Sequence, residues 1–250
     1  MRTLLLFILL FIFAGLSAQR IQYDCRGCTL SADDKQKFRV MAEYERDYFS
    51  DVFGVQRMQT IRIRMYGDEQ KFRNAQRKLV GKIISETGVY APVPKLVLIY
   101  KWPRYLATTY HEMSHAIFHQ HARWRPDWLD EGIAEYFKPA VIDSLENVTI
   151  GPHIFRLQEM RKYTTDSTSF SILPTIRASH RKFHARKETR HYTISWGVVY
   201  YLRTFHDDIF STILYKVGTG NGSEKTLEAE YPGGIKQLEK DMVRYYINTK

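Results

Sequence analysis

The chain has 250 residues, 44% of them hydrophobic, and is long enough to bury a sizeable core as one large domain or two lobes. Its formal net charge is +10, but the lysines and arginines are scattered and no nucleic-acid motif accompanies them. Composition therefore points away from a nucleic-acid partner and toward a basic solvated surface, one suited at most to an anionic envelope polymer.

Residues 1–18 read as a secretory signal peptide. Arg2 gives a basic start, residues 4–16 are apolar, and Ser17 and Ala18 are small enough for cleavage. As a helix the apolar run would reach about 20 Å, short of a ~30 Å hydrocarbon core, which makes an uncleaved anchor the lesser alternative. No later segment has the length of a membrane span, so no transmembrane span is expected once the signal is removed. The expected location is secreted, periplasmic or cell-envelope. Cys25 and Cys28, the only cysteines, are expected as a local disulfide or as idle thiols. No strand is expected before them, which argues against a thioredoxin-like redox pair.

Ser31 and Asp34 form a capping-box pattern that predicts a helix to about residue 53, with Phe38, Met41, Tyr48, Phe49 and Val52 as its apolar stripe. Ile61, Ile63 and Met65 alternate along a strand over 59–65. After a turn at Gly67 and Asp68, a second amphipathic helix is expected over 69–86. Residues 95–100 form a compact apolar strand, and the next helix starts near Tyr105 and passes His115. Pro126 and Asp127 open a further helix. Residues 139–152 look loop-rich. Helices are expected near 153–163, 191–205, 208–217 and 235–247. The fold class is α+β: a lobe over 19–137 with a small mixed sheet, then a mainly helical lobe over 138–250 that completes a cleft.

The chemistry lies in His111, Glu112 and His115. Histidines four apart on a helix share a face and can share one metal ion. The adjacent glutamate is placed to take a proton from a water on that ion. A catalytic zinc usually takes three side chains, so a third ligand is needed. Downstream stand Trp128, Leu129, Asp130, Glu131 and Gly132, with Glu135 one turn later.

His-Glu-x-x-His followed by Trp-Leu-Asp-Glu-Gly resembles the gluzincin zinc peptidases, which include thermolysin and the zinc aminopeptidases. The resemblance covers roughly residues 96–202. It implies a thermolysin-like catalytic lobe, one Zn2+ per chain, and a peptide or protein substrate. It also implies Glu131 as the third ligand and Glu112 as general base. Glu135 matches the carboxylate that orients a histidine ligand, with a solvated helix glutamate as its alternative. Asp130 reads as a surface or capping residue. Tyr192 matches the aminopeptidase tyrosine that hydrogen-bonds the oxyanion, with His191 as a fallback and a buried helix start as the alternative.

His121 has the spacing of the metzincin third ligand, but Phe118 occupies the glycine position that pattern needs. His119 and His121 are thus expected on the helix surface or cleft rim. The strand over 95–100 lacks the acid that binds a free amino terminus in aminopeptidases, which favours an endopeptidase. That strand is also the expected partner for an extended peptide. The competing functions are an aminopeptidase and a catalytically inactive zinc-containing binding or scaffold protein of the envelope.

Overall fold

The computed structural model describes residues 20–55, 59–165, 170–185 and 189–249. The expected signal peptide lies outside the described residues. The first strand, β1 (Ile21–Arg26), leads into α1 (Ala32–Phe53). Ser31 caps that helix: its hydroxyl accepts from the Asp34 N–H at 3.0 Å, and Asp34 accepts from the Ser31 N–H at 3.0 Å. Gly54, at φ 65°, ends it in the left-handed conformation that glycine adopts without a Cβ penalty.

β2 (Ile61–Tyr66), α2 (Glu69–Val80), β3 (Gly88–Ala91) and β4 (Leu96–Tyr100) follow. The four strands order as β1-β2-β4-β3, with β1, β2 and β4 parallel and β3 antiparallel to β4. Ile61, Ile63 and Met65 point into the main core beside Phe38 and Met113, while Leu96 and Leu98 pack on the other face with Phe72 of α2. Helices on both faces explain why β4 reads as a continuous apolar run.

Three expectations change here. The helix expected to residue 86 stops at Gly81, and Gln76 instead holds the following loop through Ser85 O at 2.7 Å and the Ile84 N–H at 2.9 Å. A strand does precede the cysteines: Cys25 sits on β1 and Cys28 on the loop after it, both as free thiols. Finally, β4 is paired on both sides and has no free edge for a peptide. The edge strands are β1 and β3, and β3 is the one beside α3.

α3 (Tyr105–His121) buries Met113, Ile117 and Phe118 against α1, where the Phe49 and Phe118 rings stack at 5.3 Å. A short connection leads to α4 (Asp127–Phe137), pinned by the N–H groups of Arg123 and Trp124, which both donate to Gly218 O at 2.9 Å. The loop-rich stretch holds a hairpin of β5 (Ala140–Ile142) and β6 (Val148–Ile150). Helices α5 (Ile154–Thr165), α6 (Leu173–Ile176), α7 (His180–Phe183), α8 (Arg190–Phe205), α9 (Asp207–Thr219), α10 (Ser223–Glu230) and α11 (Gly234–Asn248) complete the described chain. One core runs across residue 138, joining Phe49 and Phe137 to Trp196 and Leu214. The class is α+β, and the two halves share this core. No helix among the described residues is long and apolar enough to cross a membrane.

α4 lies against α8 with almost no clearance. A Cβ on Gly132 would meet Ser195 O at 2.7 Å and Val199 Cγ2 at 2.8 Å. Gly132→Ala is expected to lower stability by about 1–3 kcal/mol through overpacking. An unchanged urea midpoint would show that the helices separate freely there.

Candidate metal centre

α3 and α4 cross so that the cleft-facing side of each meets the other. His111 and His115, one turn apart on α3, bring their Nε2 atoms to 3.3 Å from each other. From α4, Glu131 Oε2 reaches 3.4 Å from His111 Nε2 and 3.6 Å from His115 Nε2. Zinc–ligand bonds of about 2.0–2.1 Å in a tetrahedron give ligand–ligand edges of about 3.3 Å. The three atoms therefore form a triangle of the size one zinc ion requires. Glu131 Oε2 is buried and has no hydrogen-bond partner of its own.

The far side of each imidazole faces a carboxylate. Asp130 Oδ1 lies 2.8 Å from His115 Nδ1, and Glu135 Oε1 lies 3.4 Å from His111 Nδ1, close in charge but without hydrogen-bond alignment. If both rings carry their proton on Nδ1, the tautomer that metal binding through Nε2 uses, each Nε2 presents a bare lone pair to the other and to Glu131. Two lone pairs and a carboxylate oxygen facing one another across 3.3–3.6 Å repel unless a cation lies between them. Donor chemistry and spacing both fit a divalent metal.

Asp130 is thus a correction to the sequence reading. It is not a surface or capping residue: its second oxygen takes His119 Nε2 at 2.8 Å, so one carboxylate fixes two imidazoles. Glu135 is held in turn by Arg156 Nε and Lys138 Nζ, each at 2.9 Å. Burial works to raise the carboxyl of Asp130, but His115 and His119 hold it well below the usual range. For Glu131, His115 and His111 overcome burial and bring the value to about 2. Glu135 is likewise lowered against burial, by Lys138, His111 and Arg156.

Glu112 points to the same side. It lies within 4.8 Å of the two histidines, but its Oε2 accepts the Tyr90 N–H of β3 at 2.7 Å, which leaves Glu131 as the better placed third ligand. Burial raises the Glu112 carboxyl. Gly88 of β3 approaches so closely that a Cβ there would meet Glu112 Cγ at 3.0 Å. β3, not β4, therefore forms the wall beside the glutamate.

The opposite wall comes from the second half of the chain. His111, Glu112, His115, Glu131, Glu135 and Tyr192 all line one cleft of about 470 Å³. Burial raises the Tyr192 phenol, as do the charges of Glu131, Glu135 and Glu112, so it keeps its proton. Its oxygen lies 2.7 Å from His184 Nδ1. His191 is turned away, stacked on Phe183 with Nδ1 3.0 Å from Thr175 Oγ1, and it does not serve as the alternative donor. His121 is also remote: its Nδ1 bonds Ile117 O at 3.0 Å and its ring packs on Phe49.

Residues 105–221, from the first turn of α3 to just beyond α9, match a family model described as "Protein of unknown function (DUF1570)". No curated protein matches the chain. The matched stretch contains every residue of the triangle, together with Tyr192 and His184.

Asp130→Asn is expected to weaken metal affinity about 10–100-fold, because it removes the negative charge behind His115 and leaves one acceptor oxygen where two imidazoles each use one. His121→Ala should leave affinity unchanged. Chelator competition on the purified protein measures both, and a loss in His121→Ala equal to that in Asp130→Asn would overturn the ligand assignment.

Proposed function

We propose that this chain is an exported zinc-dependent peptidase of the gluzincin type that cleaves within peptide chains. The observation that carries the reading is the triangle of His111 Nε2, His115 Nε2 and Glu131 Oε2, with the Glu112 carboxylate beside it. A zinc ion held there would supply Lewis acidity toward a water and toward the substrate carbonyl.

The chain's own groups do the rest. Glu112 accepts the water's proton and passes it to the leaving nitrogen, while the Tyr90 N–H fixes its Oε2. A purely structural site has no use for such a base, which counts against the scaffold reading. Tyr192, kept as a neutral phenol, donates to the substrate oxygen as negative charge develops on it. Asp130 holds the His115 imidazole so that it does not rotate as charge moves, and Glu135 places a negative charge behind His111.

An extended substrate lies along β3, whose outer edge borders the cleft. That strand reads Gly88, Val89, Tyr90 and Ala91 and has no carboxylate to hold a free amino terminus. This supports an endopeptidase over an aminopeptidase.

Glu112→Gln is expected to retain zinc and lose at least about 10²-fold in turnover of an unfolded protein substrate. Metal analysis and a proteolysis assay on the same preparation test it. A zinc-loaded Glu112→Gln protein with the wild-type rate would sink the proposal.

A further inference from the structure

A second set of metal-ligand atoms converges at the mouth of the cleft, outside the triangle. Asp127 opens α4. His180 begins α7 and His184 follows its last residue, so the two histidines stand on one side of the same turn. Asp127 Oδ1 lies 2.9 Å from His180 Nδ1 and 3.3 Å from His184 Nε2. The three ligand atoms all lie within 4.8 Å of one another, and the two rings stand 4.4 Å apart. These edges approach the about 3.3 Å of a four-coordinate zinc site with nitrogen and oxygen ligands.

Packing does not explain the arrangement. The His180 side chain is 81% exposed, and it is the Asp127 carboxylate that draws it in, on the same oxygen that His184 faces. A shared divalent cation would take one nitrogen of each ring together with that carboxylate oxygen.

We propose that Asp127, His180 and His184 bind a second divalent transition metal ion, of the class of Zn2+ or Co2+, with water completing its coordination. Imidazole and carboxylate donors suit that class. The outer contact fits as well. A histidine bound through Nε2 carries its proton on Nδ1 and gives it to a neighbouring acceptor, and Tyr192 Oη lies 2.7 Å from His184 Nδ1.

This has a consequence for Tyr192. With metal at His184 Nε2, the Nδ1–H donates to the phenol oxygen, and the phenol hydrogen is free to point into the cleft. With a neutral His184 bonded through its Nε2–H to Asp127, Nδ1 instead accepts the phenol hydrogen and withdraws it from the cleft. The second ion therefore sets which way Tyr192 donates. That consequence rests on the peptidase reading; the metal site does not.

The test is a Co2+ titration of metal-free full-length protein, followed by visible absorption and by equilibrium dialysis. Wild type is expected to take two equivalents. His180→Ala, which removes an exposed side chain and leaves the core untouched, should weaken one equivalent at least tenfold and spare the other. His111→Ala/His115→Ala should lose the other equivalent and keep the one that depends on His180. A wild-type protein that binds one equivalent only, or two that are both insensitive to His180→Ala, overturns the second site. A double variant that loses no equivalent would instead count against the triangle, so the two failures are distinguishable.

Discussion

The structure turns on two imidazole nitrogens held 3.3 Å apart on one face of α3. Their orientation is set from behind: Asp130 Oδ1 lies 2.8 Å from the far nitrogen of His115, and the Glu135 carboxylate places its charge behind that of His111. Both carboxylates come from α4, which also supplies Glu131. A single turn and a half of helix therefore sets the orientation of both rings and the third corner of the triangle. The α3–α4 connection must be tight for this to work, and Gly218 O provides the clamp.

Charge makes the same demand. Glu112, Asp130, Glu131 and Glu135 gather around two histidines, with Lys138 and Arg156 as the fixed cations at hand, both bonded to Glu135. Burying carboxylates without compensation is costly, and Glu131 has no hydrogen-bond donor on its inward oxygen. His115 responds as well: burial opposes its protonation, yet Asp130 and Glu131 raise it well above the ordinary histidine range. A proton on His115 would answer that demand in part. A divalent ion in the triangle would answer it for Glu131 and both imidazoles together.

Local signals made much of this legible in the residues. The Ser31 capping box, the alternation of Ile61, Ile63 and Met65, and the His-Glu-x-x-His spacing each depend on neighbours within one or two turns. What stayed hidden depends on contacts across the chain. β1 is half exposed and barely alternates, so only its pairing with β2 defines it. β3 is a four-residue edge strand defined by β4 and by the Tyr90–Glu112 bond. Asp130 stood beside Glu131 in the sequence, but its function requires knowing that His115 and His119 both reach it. His180 and His184 have helical spacing, but nothing local to them shows that Asp127, more than fifty residues earlier, reaches both.

The two walls of the cleft are not independent of each other. Glu131 sits beside Gly132, and Gly132 lies against the Ser195 carbonyl of α8. Tyr192 is on the same helix, one turn before Ser195. The backbone contact at Gly132 thus fixes the distance between the Glu131 carboxylate and the phenol across from it. Asp127 lies on α4 as well, one turn before Glu131, and reaches His184, which in turn reaches Tyr192. Two routes, one through backbone packing and one through side chains, tie α4 to the same tyrosine. A shift of α4 against α8 would therefore disturb the triangle, the phenol and the outer histidine pair together, which is why side chains from both halves of the chain meet in a single rigid core.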